Sequence, residues 1–161
     1  MARPELPSGT VTFLFTDIEG STRLLHDLGA DAYADAVATH RAILRAAFAA
    51  HGGVEVDTQG DAFFVAFPTA PGALAAARAA TDALQQGPIK IRIGLHTGTP
   101  LLTDEGYVGP DVHKGARIAA AGHGGQVLLS AETRADLDTG DAFLDLGEHR
   151  LKDFATPVWI H

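Results

Sequence analysis

The sequence contains no cysteine, so neither a disulfide framework nor a thiolate metal site is available to it, and a reducing compartment is compatible with its chemistry. It also lacks any stretch approaching the roughly 18 consecutive apolar residues of a membrane-spanning helix. The opening "MARPELPSGT" has no apolar run of the kind a secretory leader carries. Positive charge is scarce: 12 Lys and Arg against 20 Asp and Glu give a formal net charge of −8. A nucleic-acid-binding face usually shows as basic excess, and that class of partner is set aside. Acidic balance suits a site that holds cations, and equally suits plain solubility. What is abundant is apolar: 46% of the 161 residues, enough for one domain that buries a real core. The reading is a single cytoplasmic domain over residues 1–161, with residues 1–8 as a tail and no membrane association.

Hydrophobic patterning gives an order of elements. "TVTFLFT" predicts a strand at Thr10–Thr16, apolar on both faces and hence central. After Gly20 a long helical spacing runs to the pair Gly52-Gly53, interrupted around Gly29. "VEVDTQGDAFFVAF" predicts two strands in a hairpin around Gly60. "PGALAAARAATDALQQG" predicts a second helix, rich in the best helix former and stopped by Gly87-Pro88. "IKIRIGLHTG" alternates as a fourth strand from Ile89 to Leu95. This is an α+β chain with a ferredoxin-like βαββαβ core, whose first and third strands are antiparallel neighbours. A C-terminal αβαββ extension follows: a loop or hairpin to Gly109, a helix near Asp111–Ala121, a strand at Gln126–Leu129, a short helix from Ala131 and two final strands. The chain stops soon after the last of these, as a stand-alone domain or a piece of a longer protein would.

Two acids stand at the ends of central strands. Asp17 is expected just past the first strand and Asp61 at the start of the third, so carboxylates 44 residues apart in sequence converge. Two carboxylates side by side repel unless a cation lies between them, and a pair of hard divalent ions held by oxygen resolves this. The structural alternative is that one Asp caps a helix and the other serves the Gly-Asp turn. Between strand and helix, Ile18, Glu19, Gly20, Ser21 and Thr22 form a loop whose free N–H groups favour an anion, so phosphates could rest there while Asp17 holds their metal. Ser21 as an ordinary helix cap is compatible with that.

"FTDIEGST", "TQGDAFF", "IRIGLHTG" and "GPDVHKGARI" together resemble, in order and spacing, the class III nucleotidyl cyclase catalytic domain of bacterial and mycobacterial type, over nearly the whole chain. The resemblance implies head-to-tail homodimers with active sites at the interface. It implies two Mg²⁺ or Mn²⁺ ions per site on Asp17 and Asp61, with Ile18 in the metal set. Arg92 and Lys152 fall on its phosphate-binding positions, and Arg117 on its transition-state arginine. Asp17, Asp61 and Arg92 would come from one subunit, Arg117 and Lys152 from its partner. The implied reaction is attack of the ribose 3′ oxygen on the α-phosphorus with release of pyrophosphate. A surface arginine paired with an acid is the structural alternative for Arg117.

Three positions depart from the family pattern. Asp57 stands where a lysine reads adenine, Gly106 where its acidic companion stands, and His113 where an asparagine positions the ribose. A carboxylate at 57 accepts hydrogen bonds, which suits guanine N–H donors and leans toward GTP, whereas the overall resemblance leans toward ATP. His113 lies four residues before Arg117 on one helix face and could donate to the ribose, or be an exposed surface histidine. Losing one positioned donor costs on the order of 10²–10³ in rate, so a slow enzyme is compatible with these substitutions. Three functions therefore remain: an adenylate cyclase, a guanylate cyclase at the same site, and a degenerate nucleotide-binding domain that regulates without turnover. His96, within a strand and without ligand spacing, reads as structural.

Overall fold

The computed structural model describes residues 6–59, 61–104 and 106–137, together with the backbone of two short strands at Glu148–His149 and Val158–Trp159. Its centre is β1 (Val11–Ile18), buried along its length except at half-buried Phe15 and Asp17. β1 lies between β3 (Ala62–Phe67) and β4 (Ile91–Gly98) and is antiparallel to both. β2 (Val54–Gln59) pairs antiparallel outside β3, and β7 (Val127–Leu129) pairs parallel outside β4, giving the order β2-β3-β1-β4-β7. This is the expected ferredoxin-like core with one extra edge strand. β5 (Leu101–Thr103) and β6 (Gly106–Val108) form the hairpin, and β8 (Glu148–His149) pairs with β9 (Val158–Trp159).

One face of the sheet is covered by helices. α1 (Ser21–Leu28) leads at Gly29 into α2 (Ala30–Ala50), which buries Val37, His40, Leu44 and Phe48 at three- and four-residue steps, the stripe of an amphipathic helix. α3 (Ala70–Ala83) starts where the Thr69 hydroxyl accepts a bond from the Gly72 amide, and it packs with alanines at 70, 73, 76, 77 and 80. These alanines are packing surface: their small side chains bring the helix backbone down onto Leu14, Val65, Ile93 and Leu95 of the sheet. Each fully buried Leu, Ile or Phe there contributes about 1.5–3 kcal/mol. Among the described residues no helix is long and apolar enough to cross a membrane.

The opposite face carries an aromatic group. Phe13, Phe15, Phe64 and Tyr107 meet edge to face or stacked, with the Phe15 and Phe64 rings 4.4 Å apart. Beside them lies α4 (Pro110–Ala120), followed by β7 and α5 (Ala131–Ala135). α4 approaches very closely. A Cβ on Gly94 would meet the Ala119 amide nitrogen at 2.4 Å, and one on Gly115 would meet the Phe15 ring at 2.5 Å.

The strand ends differ from expectation in a way that matters below. β1 runs on to Ile18 rather than stopping at Thr16, so Asp17 is a strand residue and not part of the loop beyond it. The cause is β4, whose pairing with β1 continues through Asp17↔Arg92 and Ile18↔Ile91 after the last β3 partner at Thr16↔Phe63. β4 itself starts at Ile91 rather than Ile89. Ser21 is the first helical residue and not a cap: Gly20, at φ +62, takes the cap position with no side-chain bond.

The Gly94 contact is with backbone, which cannot step aside as a flexible side chain could. Gly94→Ala is expected to destabilise the fold by about 2 kcal/mol or more, read as a lowered urea midpoint at unchanged m-value.

Candidate functional site

Strand alternation decides which side chains share the open face. In β1, Leu14 and Ile18 point to the helix-covered core, while Phe13 and Phe15 face the aromatic side and Asp17 follows them. In β4, Ile91 and Ile93 are core residues, and Arg92 between them points the other way, opposite Asp17. The two side chains form a forked ion pair. Arg92 Nε donates to Asp17 Oδ1 at 2.7 Å and Nη2 donates to Oδ2, with both side chains about a quarter exposed. Arg92 Nη1 donates also to the Ala120 carbonyl at the last residue of α4, at 3.3 Å. The hydrogen bonds that Arg92 donates to Asp17, and then the charges of Asp17, Glu19 and Asp61, hold the guanidinium pKa above its ordinary value against the opposing effect of burial.

Next to this pair the sheet face and α4 enclose a cleft of about 260 Å³. Its walls include Phe15, Phe64 and Ala62 from the sheet and Ala116 and Ala119 from α4. Asp17, Asp57 and Gln59 supply polar groups along it. The Asp57 carboxylate is exposed and accepts from the Thr58 amide at 2.9 Å and from Gln59 Nε2 at 3.1 Å.

Asp61 precedes β3, and continuing the register sets it beside Ile18 rather than Asp17. It lines a separate depression with Ser21, Tyr33, Val37 and Arg41. The two acids thus flank the end of β1 and act on one guanidinium, but they do not share a described cleft. Among the described residues no group of three or more His, Asp and Glu side chains is gathered to hold a metal. The donors fit a hard divalent cation in kind, being carboxylate oxygens and main-chain carbonyls. Ile18 is a core side chain, 4% exposed, so only its carbonyl could belong to such a set. Both Asp17 oxygens, however, already accept from Arg92.

The other predicted residues are distributed around this point. Glu19 turns away from the loop it begins: its Oε2 accepts from the Gly124 amide at 2.6 Å, and Oε1 lies 3.5 Å from His123 Nδ1. Gly20 and Thr22 are exposed and Ser21 is half-buried at the start of α1. His113 is exposed and Arg117 half-buried, both on α4. Gly106 opens β6 at φ +114, a conformation an acidic side chain would strain, and it does not line the cleft with Asp57. Lys152 lies outside the described residues.

His96 is structural, as expected, and the structure gives the reason. It is 1% exposed, with Nδ1 2.8 Å from Ser130 Oγ and Nε2 2.7 Å from Asp111 Oδ1. An N–H donated to Asp111 and a lone pair accepting from Ser130 satisfy a neutral ring, joining β4 to the first turn of α4 and to the start of α5. Thr97 extends the chain of hydroxyls to Thr12 and Thr133, each at 2.9 Å.

One of these contacts had a partial signal in the sequence. Asp17 follows Phe13 and Phe15 in alternation, and Arg92 alternates with Ile91 and Ile93, which sets the face each would take if its strand ran that far. The register that makes them meet comes from the β1–β4 pairing. The Glu19–Gly124 bond and the cleft walls Ala116 and Ala119 had none, because they depend on how closely α4 and the loop after it approach the sheet.

Burial lowers the His96 pKa below its ordinary 6.5, with the Asp111 bond opposing, and burial lowers that of His40 likewise. An unfolded chain takes up these protons below about pH 6.5 while the folded one resists, so the unfolded state is favoured as pH falls. Urea midpoints are expected to decline between pH 7 and 5, and His96→Gln to flatten that slope.

Comparison with known proteins agrees with this arrangement. Residues 4–155 match the family described as the adenylate and guanylate cyclase catalytic domain. An uncharacterized protein of Mycobacterium tuberculosis is 44% identical over 161 residues, covering 96% of this chain and 55% of that protein. An adenylate cyclase of Lachancea kluyveri is 35% identical over 163 residues, covering 81% of this chain and 9% of the enzyme. The chain thus spans about half the length of the mycobacterial relative and a small part of the fungal one. The crystal structure of an adenylyl cyclase from P. aeruginosa matches with a TM-score of 0.83 at 25% identity, covering 98% of this chain and 94% of that one. With the family match running through the central strands, the cleft and α4, the chain belongs to the adenylate and guanylate cyclase catalytic domain family.

Proposed function

We propose that the chain is an adenylate cyclase domain that converts ATP to 3′,5′-cyclic AMP and pyrophosphate at the interface of a homodimer. The observation that carries this reading is the meeting of Asp17 and Arg92 on the two central strands, at the mouth of a cleft walled by Phe15, Phe64 and α4. A carboxylate for a cation and a planar, permanently charged fork for phosphate then stand side by side. Mg²⁺ or Mn²⁺ bound there would supply Lewis-acid polarisation of the phosphate oxygens and a more acidic 3′ hydroxyl. Asp17, Asp61 and the Ile18 carbonyl would hold the ions. Arg92, Lys152 and the loop Glu19–Thr22 would bind the triphosphate, the loop through its backbone since the Glu19 carboxylate is engaged elsewhere. In the reaction the 3′ oxygen bonds to the α-phosphorus, the bond to the bridging oxygen breaks, and pyrophosphate leaves.

Arg117 of a second copy would oppose charge building on the α-phosphoryl group, and His113 would donate to the ribose. Support for pairing comes from the β5–β6 hairpin, where Leu101 is 65% and Val108 53% exposed, apolar surface that a second copy would cover. ATP is favoured by the adenylate cyclase of L. kluyveri among the relatives. GTP is favoured by Asp57, whose carboxylate lines the cleft and can accept from guanine N–H groups but offers nothing to adenine N1.

Purified protein with Mn²⁺ is expected to form cyclic AMP from ATP, and Asp17→Ala to lower the rate by on the order of 10² or more. Cyclic product from GTP alone would move the assignment to guanylate cyclase. Nucleotide binding without product from either would make it a regulatory domain. Mixing inactive Asp17→Ala with inactive Arg117→Ala is expected to restore part of the activity, because one of the two sites in a mixed dimer is intact. Demonstrated mixed dimers with no recovery would refute the shared interface.

A further inference from the structure

Asp17 and Arg92 are directly opposite on adjacent strands, so their fork is built into the sheet register and does not depend on a mobile loop. The fork uses one donor on each carboxylate oxygen. A divalent ion at the usual distance of about 2.0–2.1 Å from either oxygen would face the guanidinium a few ångströms away, in a part-buried site where like charges are poorly screened. Each oxygen keeps a second lone pair, yet the charge of the ion and that of the guanidinium repel across the same carboxylate, so the two compete for it. Arg92 also has a third bond, to the Ala120 carbonyl, which needs no contribution from Asp17.

We infer that Arg92 and a divalent cation are alternative partners of the Asp17 carboxylate: the guanidinium neutralises it in the nucleotide-free chain, and cation entry releases Arg92 toward the incoming phosphates. This rests on the reading of Asp17 as a metal ligand. Arg92 then holds the cation's place on Asp17 before it is a phosphate ligand. The nucleotide-free protein holds the cation weakly, because the ion must displace a forked, charge-assisted pair. Metal and nucleotide assist one another, since the phosphates give Arg92 a new anionic partner at the moment the cation takes Asp17. By thermodynamic reciprocity the assistance is the same in both directions.

The test is Mn²⁺ binding without nucleotide, read from the free-ion electron paramagnetic resonance signal and independent of turnover. The proteins are the full chain, Arg92→Gln, Arg92→Lys, Asp17→Asn and the double variant Arg92→Gln/Asp17→Asn, each with its fold checked by circular dichroism. Arg92→Gln is expected to bind Mn²⁺ on the order of tenfold more tightly than the unmodified chain, with the gain lost in the double variant. Arg92→Lys keeps the charge but cannot form the fork. It is expected to bind Mn²⁺ more tightly than the unmodified chain, and it decides the matter if the glutamine variant does not fold. Mn²⁺ binding that Asp17→Asn removes, but that neither Arg92 variant strengthens, overturns the exchange and leaves the metal reading standing. The absence from every variant of a Mn²⁺ site that Asp17→Asn removes overturns both.

Discussion

The antiparallel pairing of β1 with both of its neighbours is the constraint from which the rest follows. A strand bonded on both edges cannot slip by one residue without turning its whole apolar set to the wrong face. Leu14 and Ile18 must therefore meet the α2–α3 layer, and Phe13, Phe15 and Asp17 must face the other way. The same parity in β4 sends Ile91 and Ile93 inward and Arg92 outward. An ion pair at the mouth of the cleft is thus held by some of the most deeply buried residues of the molecule. The register that sets the two residues opposite each other is as firm as the core itself.

Around that pair the charges are unbalanced in a way the composition alone only hints at. Asp17, Glu19 and Asp61 all act on one guanidinium. Glu19 is partly committed to the Gly124 amide, which ties the start of α1 to the loop between α4 and β7. The network of His96, Asp111, Ser130 and the threonines does similar work on the far side of α4, with every ring nitrogen and most hydroxyls partnered. Arg92 reaches the other end of the same helix at the Ala120 carbonyl. α4, which carries His113 and Arg117, is therefore fastened at both ends to β4 by hydrogen bonds that begin four residues apart on one strand.

Much of this architecture was legible in the sequence. Apolar periodicity with glycine and proline stops marked the order of elements, including the break at Gly29 and the central place of β1, and left the segment before Gly109 as either a loop or the hairpin that β5 and β6 form. The ends of strands were not legible, since β1 is prolonged by β4 and not by its own composition. That small extension changed Asp17 from a loop acid beside Asp61 into a strand residue beside Arg92. Asp61, beyond the last paired residue of β3, is free of the strand's parity, and no pattern in the letters says which way such a residue turns. His96 read correctly as structural because a histidine in a buried strand without ligand spacing needs only hydrogen-bond partners. Those partners, Asp111 and Ser130, come from elements whose packing the sequence does not reveal.

The glycines where α4 meets the sheet, one on each side of the contact, have a meaning beyond packing. Gly94 and Gly115 bring the helix to within one missing carbon of the sheet, and Ala116 and Ala119 on its inner side form one wall of the cleft. The aperture is thereby gauged by atoms that are not there. A methyl group added beneath the helix would push that wall outward and carry Arg117 with it, so a change remote from every charged group would alter the size of molecule the opening admits.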